Sequence, residues 1–281
     1  MIIFHKNEDL QIFAKKNAGL WENSGFVPTM GALHEGHISL IRQSLLVSST
    51  TVVSIFVNPS QFNDPADFAK YPVTIDKDVR MLAEAGCDIL FLPEIGEIYP
   101  DGWQHSAQYD LDSLETLLEG YYRPGHFQGV CQVVHRLLDI VQPTSIFMGQ
   151  KDFQQCMVVQ KLIELKNLRV QLHTCPTLRE DDGLAMSSRN MRLSEQQRKI
   201  AAAIYREMDR IKRDAEILPL RSLEKRAIEN LLLEGFSKVD YVSIAHTATL
   251  APLEKKEPKS EAVVLVAAFL GEVRLIDNLL I

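Results

Sequence analysis

Two histidines, His34 and His37, stand three residues apart just after an apolar run, Gly25 to Val27, that stops at Pro28. Ile38, Leu40, Ile41, Leu45 and Leu46 follow at helical spacing. Both rings therefore fall in the first turn of a helix and share one face. A helix N-terminus offers unpaired backbone N–H groups and a positive dipole end, a seat for phosphate. Gly31 at the bend and Gly36 between the histidines let backbone approach a ligand closely. Imidazoles placed there can donate hydrogen bonds to phosphate oxygens as negative charge moves along a triphosphate. The plain alternative, that the rings only cap the helix, stays open at this point.

Three further stretches carry polar chemistry. Gly149-Gln150-Lys151-Asp152 follows the apolar run Ser145 to Met148 and precedes a helix bearing Met157, Val158, Leu162, Ile163 and Leu165. A lysine at a helix start is unfavourable unless an anion compensates it, and phosphate would do so. Asp152 suits the helix dipole, a ribose or magnesium. Met186-Ser187-Ser188-Arg189-Asn190 sets two hydroxyls beside one guanidinium, a compact anion receptor able to close over a triphosphate. Asn58-Pro59-Ser60-Gln61-Phe62 offers two amides that can pair with a carboxylate or hydroxyl without adding charge. A surface lysine and polar surface turns are the ordinary readings of the same residues. Arg123, in Tyr121-Tyr122-Arg123-Pro124-Gly125-His126-Phe127, could meet an anion or sit in a solvated loop.

The elements that must position these residues alternate. Ile2 to Phe4, Gly25 to Thr29, Thr50 to Val57, Cys87 to Leu92, Ser145 to Met148 and Arg169 to His173 read as strands. Asn7 caps a helix carrying Leu10, Phe13 and Leu20, and Thr74 caps another to about Glu84. Val130, Val133, Val134, Leu137, Leu138 and Val141 line one helix face. Strand–helix alternation predicts an α/β domain with a parallel sheet and right-handed crossovers. Ligands then sit outside the strands' carboxyl ends, which picks out Thr29 to His37 and Asn58 to Phe62. Past Pro176 the composition changes. Ser194 opens a long helix, Glu195 to about Arg213, and a second runs from Leu220 to Glu234. Strands Lys238 to Ile244, Ala262 to Phe269 and Val273 to Asn278 follow, with a charged loop Pro252 to Ser260 between the first two. That pattern predicts a smaller α+β domain over residues 177–281 after a larger one over 1–176.

At 281 residues, 46% hydrophobic and 24% charged, the chain can bury a sizeable core. A net charge of −7 argues against broad nucleic-acid binding and makes local cations the groups to find for an anionic ligand. No signal-peptide pattern and no apolar run of membrane-spanning length is present, so a cytoplasmic, non-membrane protein is expected. Cys87, Cys131, Cys156 and Cys175 are widely separated and form no Cys-x-x-Cys or Cys/His cluster. Buried free thiols are expected, without zinc, haem or flavin.

The run Pro28 to His37 resembles the His-x-Gly-His motif of nucleotidyltransferases and class I aminoacyl-tRNA synthetases. It is similar in particular to the pantothenate synthetase (pantoate–β-alanine ligase) family. Ile55-Phe56-Val57-Asn58-Pro59-x-Gln61-Phe62, Arg123-Pro124-Gly125-His126-Phe127, Gly149-Gln150-Lys151-Asp152 and Met186-Ser187-Ser188-Arg189 resemble further segments of that family, in its order. The resemblance implies a Rossmann-like nucleotide- and pantoate-binding domain followed by a C-terminal lid. It implies ATP-dependent joining of pantoate to β-alanine through a pantoyl adenylate, with Mg2+, in a homodimer. ATP would be held by Met30, Gly31, Ala32, Leu33, His34, Glu35, Gly36, His37, Gly149, Gln150, Lys151, Asp152, Leu178, Met186, Ser187, Ser188 and Arg189. His34, His37, Lys151, Ser187, Ser188 and Arg189 would act on the phosphates. Gln61, Gln155 and Asn58 would hold pantoate, and Gln61 also β-alanine. The leading lysine of the synthetase loop is replaced by Ala185, so its cation must come from Lys151 or Arg189. The rival readings are a nucleotidylyltransferase that stops at nucleotide transfer and a catalytically idle nucleotide-binding module.

Overall fold

Thr50 to Ile55, β-branched apart from one serine, forms a strand in which every residue is buried, as a sheet covered on both faces requires. In the computed structural model, which describes residues 1–63, 65–103, 107–256 and 261–281, the chain divides into two compact units, Met1–Pro176 and Thr177–Ile281.

The first unit is built on a parallel sheet of six strands: β1 (Ile2–Phe4), β2 (Ser24–Thr29), β3 (Thr50–Ile55), β4 (Ile89–Phe91), β5 (Ser145–Gly149) and β6 (Gln171–Cys175). Their spatial order is β1-β4-β3-β2-β5-β6. Neighbouring residues along each strand face opposite layers. Phe26, Val52, Phe91 and Ile146 pack with Val130, Val134 and Leu137 of the helix His126–Val141. Val27, Val53, Leu90 and Phe147 pack with Ile38 and Ile41 of the helix Glu35–Val47 and Leu82 of the helix Ile75–Glu84. The α/β expectation holds, with helices on both faces.

Several local expectations shift. Asn7 is the first helical residue rather than the cap. Its N–H meets Glu97 Oε2 at 2.9 Å and its side-chain amide donates to the Glu97 carbonyl. The helix ends at Lys16, and Leu20, on the short helix Ala18–Trp21, is exposed. Leu46, assigned to the buried stripe, is also exposed. Thr74 occupies the N-cap, yet its hydroxyl donates to Asp78 Oδ1 at 2.9 Å instead of capping backbone. The last strand starts at Gln171, two residues later than the pattern suggests.

In the second unit Ser194 caps the helix Glu195–Ala201 through a reciprocal pair with Gln197. The expected long helix breaks at Ala202 and resumes as Ala203–Asp214, followed by Leu220–Glu234. Three antiparallel strands, β7 (Lys238–His246), β8 (Ala262–Leu270) and β9 (Val273–Leu280), lie in that order. Part of the expected loop Pro252 to Ser260 lies outside the described residues. The edge strand β7 is covered at Ile244. Its N–H goes to Glu224 Oε1 at 2.7 Å, and its carbonyl takes the N–H of Leu253 at 2.9 Å.

Candidate active site

β3, β2 and β5 are adjacent and parallel, so the segments leaving their carboxyl ends meet one rim of the sheet. From β2 the chain adds β3 and β4 on one side, then β5 and β6 on the other. The reversal between β2 and β5 is the switch point at which open α/β sheets receive ligands. Met30 to His34 leaves β2 there, and Gln150 to Asp152 leaves β5. Phe56 to Gln61 leaves β3 alongside.

His34 is the N-cap of the helix Glu35–Val47, and its Nδ1 accepts the N–H of Gly36 at 3.1 Å. His37 Nδ1 accepts the N–H of His34 at 3.3 Å. The N–H of His37 returns to the His34 carbonyl at 2.8 Å. The backbone donors expected to bind phosphate are thus largely spent on the cap itself. Backbone N–H groups only donate, so each Nδ1 bears a lone pair and the single proton of each neutral ring is on Nε2. Capping and phosphate binding therefore coexist, with Nδ1 serving the helix and Nε2–H free to serve an anion. The rings lie 4.1 Å apart between centroids.

Their surroundings keep them neutral. Burial, then the Lys151 charge, lowers His34 to about 4, with Lys77 adding and Asp152 opposing. Burial first, then His34 and Lys151, holds His37 well below the usual imidazole range. Lys151 is thus close enough to both rings to be felt by each. It sits in a single 3₁₀ turn, Gln150–Asp152, rather than in the α-helix, which starts at Phe153. Its Nζ is 3.5 Å from Asp152 Oδ1, and the ammonium is mostly buried. Gly149 and Gln150 beside it are half-buried.

The run between β2 and His34 is built differently from the expectation. Gly31, Ala32 and Leu33 are buried. Their N–H groups go to Thr29 Oγ1 at 3.2 Å, Asp78 Oδ2 at 2.9 Å and Asp78 Oδ1 at 2.8 Å. These backbone donors are thus committed within the fold, whereas Met30 is half-buried. Glu35 is exposed and its carboxylate pairs with Arg42 at 3.3 Å. Asp78 is fully buried, and sequence reasoning missed it. The one local sign was Thr74 four residues earlier; its two backbone partners lie more than forty positions upstream.

Asn58 is held by the fold. It is buried, and both ends of its amide are engaged. Oδ1 accepts from Ser60 N–H at 3.3 Å, Ser60 Oγ at 3.1 Å and Tyr99 Oη at 2.9 Å. Nδ2 donates to the Gly129 carbonyl and to Gln61 Oε1, each at 3.1 Å. Asn58 is thus placed to orient Gln61. Gln61, with its oxygen held, turns Nε2 towards Met30 Sδ at 3.2 Å and offers donors to a carboxylate or hydroxyl. From behind, His126 Nδ1–H donates to the Gln61 carbonyl at 2.7 Å, and Arg123 Nη1 reaches His126 Nε2 at 3.0 Å. Arg123 also pairs with Glu119 at 3.6 Å, which places it in this buttress rather than on an open anion site. Gly129 admits the close approach: a Cβ there would meet Ser60 O at 2.3 Å. Gln155, on the first turn after Asp152, is half-buried, and its side chain makes no hydrogen bond among the described residues.

In the second unit the Met186 N–H pairs with the Leu178 carbonyl at 3.1 Å. Ser187 Oγ accepts the Arg189 N–H at 3.3 Å, while Ser188 is buried and Arg189 half-buried. Arg179 holds this loop's base. It grips Asp277 through two bonds of 2.6 and 3.0 Å and lies 4.5 Å over the Tyr205 ring. Among the described residues no group of three His, Cys, Asp or Glu side chains could hold a metal ion. No helix among them is long and apolar enough to cross a membrane.

The pantoate-beta-alanine ligase family model matches residues 2–280. A pantothenate synthetase of Cytophaga hutchinsonii is 43% identical over 259 residues, 92% of this chain and 91% of that protein. The crystal structure of a pantothenate synthetase from Thermus thermophilus superposes with a TM-score of 0.90 at 40% identity, covering 99% of each chain. A Francisella tularensis pantoate-beta-alanine ligase, solved with beta-gamma ATP and beta-alanine, gives 0.83 at 36% identity over 100% of this chain and 97% of that one. With a family model spanning nearly every residue and relatives alike in both sequence and fold, the chain belongs to the pantoate–β-alanine ligases.

Proposed function

We propose that this chain condenses pantoate with β-alanine at the expense of ATP, through a pantoyl adenylate, releasing AMP and pyrophosphate. The observation that carries the mechanism is the pair of imidazoles whose Nδ1 atoms are tied to backbone N–H groups beside Lys151 at the switch point. Pantoate carboxylate is already a nucleophile and needs no base. The barrier lies in bringing two anions together and in stabilising charge that moves onto departing pyrophosphate, a task for positioning and fixed positive dipoles. His34 and His37 donate Nε2–H to phosphate oxygens, and Lys151 supplies the point charge. Magnesium carried on the triphosphate would neutralise further charge.

Gln61, oriented by Asn58, and Gln155 hold pantoate, and Gln61 also meets β-alanine. Ser187, Ser188 and Arg189, with Met186 and Leu178, add phosphate contacts as the family resemblance implies, and exclusion of water protects the acyl adenylate. Neither imidazole can take a proton from the β-alanine amine, because Nδ1 is engaged and Nε2 is already protonated. The amine must therefore reach the acyl adenylate already deprotonated; its attack on the acyl carbon expels AMP, and the proton shed on forming the amide passes to solvent. The family relationship supports a homodimer and a cytoplasmic location.

Pyrophosphate–ATP exchange tests the first half-reaction. Exchange should require pantoate and proceed without β-alanine. Formation of an amide product on adding β-alanine separates a ligase from a nucleotidylyltransferase. Exchange that ignores pantoate would overturn the reading.

A further inference from the structure

We propose that Asp78 is a positioning residue of the first half-reaction: its buried carboxylate sets the Gly31–Leu33 backbone and, through it, the seat of both imidazoles. The inference rests on the adenylate-forming role given to His34 and His37 above.

Gly31 and Ala32 adopt successive left-handed conformations, with φ of +79° and +49°. Glycine enters that region freely, whereas alanine is strained there and stays only when its surroundings hold it. The holding group is Asp78. Each carboxylate oxygen takes one of the two consecutive N–H groups that follow the bend, at 2.9 and 2.8 Å. Backbone turned this way makes a concave pair of donors of the kind that binds anions, and here the chain fills it with its own carboxylate. Gly31 also leaves little room beside it, since a Cβ there would lie 3.1 Å from Asp78 Oδ2. His34, the first residue after the clamp, is the helix cap and carries one of the two rings. A tilt in the clamped turn therefore swings the imidazole pair directly.

The carboxylate is fully buried, and all three of its partners, two backbone N–H groups and the Thr74 hydroxyl, are neutral. A buried anion held only by dipoles is a costly way to fasten a loop that apolar packing could fasten instead. What it supplies is direction, because a carboxylate reads two N–H vectors at once. A second observation places the same helix at the site. Lys77, adjacent to Asp78, contributes to the depression of His34.

The test compares Asp78→Asn and the milder Thr74→Val, which removes one neutral donor to the carboxylate, with the unaltered protein. Pyrophosphate–ATP exchange, the Michaelis constants for pantoate and ATP, the amide resonances of Ala32 and Leu33, and the ring ¹⁵N resonances of His34 and His37 are measured. Asn offers one acceptor for two N–H groups. Exchange should fall by about 10- to 100-fold through kcat, with the pantoate constant within about twofold and the ring resonances displaced. Thr74→Val should fall about threefold in the same direction. If Asp78→Asn does not fold, Thr74→Val decides, and exchange unchanged in it overturns the proposal. The proposal also fails if Asp78→Asn exchanges within about twofold of the unaltered enzyme while the Ala32 and Leu33 amides have moved. If the unaltered protein itself shows no pantoate-dependent exchange, the functional reading falls. The clamp is then judged on the ring resonances alone, and unmoved rings in Asp78→Asn reject it.

Discussion

The backbone N–H of His34 points at Nδ1 of His37, 3.3 Å away, so one catalytic candidate is hydrogen-bonded to the main chain of the other. The Gly36 N–H does the same for the His34 ring at 3.1 Å. The helix start and the phosphate donors are one device, and several measurable consequences follow from it.

Both rings should be Nε2–H tautomers. Nitrogen-15 spectra of the histidine side chains should show a pyridine-like Nδ1 and a pyrrole-like Nε2 for His34 and His37, with neither ring protonating as pH drops from 7.5 to 5.5. A ring that titrates in that window would break the assignment.

Stability should depend on acidity in a defined direction. His34 is lowered from 6.5 to about 4 in the folded protein, so the unfolded chain binds a proton more readily between those values. The contribution of the neutral ring is complete above 6.5 and is lost as pH falls towards 4. Urea midpoints should therefore decline from pH 7 to pH 5, and His34→Gln should flatten part of that decline.

Replacing His37 by Ala should cost roughly 10²-fold or more in pyrophosphate exchange, because a transition-state donor is removed. Its stability cost should be about 1 kcal/mol, the scale of a lost cap. Exchange kinetics and a thermal melt on the same preparation separate the two effects.

The legible part of this molecule was periodic or local. A β-branched run announced β3, short apolar runs halted at Pro28 and Gly149 announced β2 and β5, and the three-and-four spacing from Val130 to Val141 announced a helix whose apolar face is buried. His34, His37 and Lys151 stood out as candidates because each follows a strand end. Asn58 was singled out for its amide, but its protein neighbours were not legible. An amide three residues past a strand end looks the same in sequence whether it faces solvent or, as here, Tyr99, Gly129 and Gln61. Asp78 could not be found, since its two backbone partners are separated from it by 45 and 46 positions.

Gly129→Ala should disturb the same chain of contacts from outside the site. The added methyl would lie 2.3 Å from Ser60 O, and the segment Pro59–Gln61 must shift to admit it. A loss of about 1–3 kcal/mol is expected from the overpacking, together with a raised Michaelis constant for pantoate and a nearly unchanged one for ATP.

The second unit should be fragile at Arg179. Asp277 is almost fully buried, and Arg179→Met would leave that carboxylate without its guanidinium. A loss of about 3–5 kcal/mol is expected on breaking such a pair from one side. Hydrogen exchange should show the damage in β9 and in the turn from Arg179 to Ala185.

Ile244 has a consequence for how this chain behaves in a crowd. A bare sheet border is a template on which other chains can add strands, the first step towards fibres and swapped dimers. At that residue both hydrogen-bonding groups of β7 are already occupied, one by a helix carboxylate and the other by the returning main chain. An incoming peptide finds nothing there to zip onto. Glu224 thus acts as a bung at Ile244, and removing it would bare that N–H on the border of the sheet.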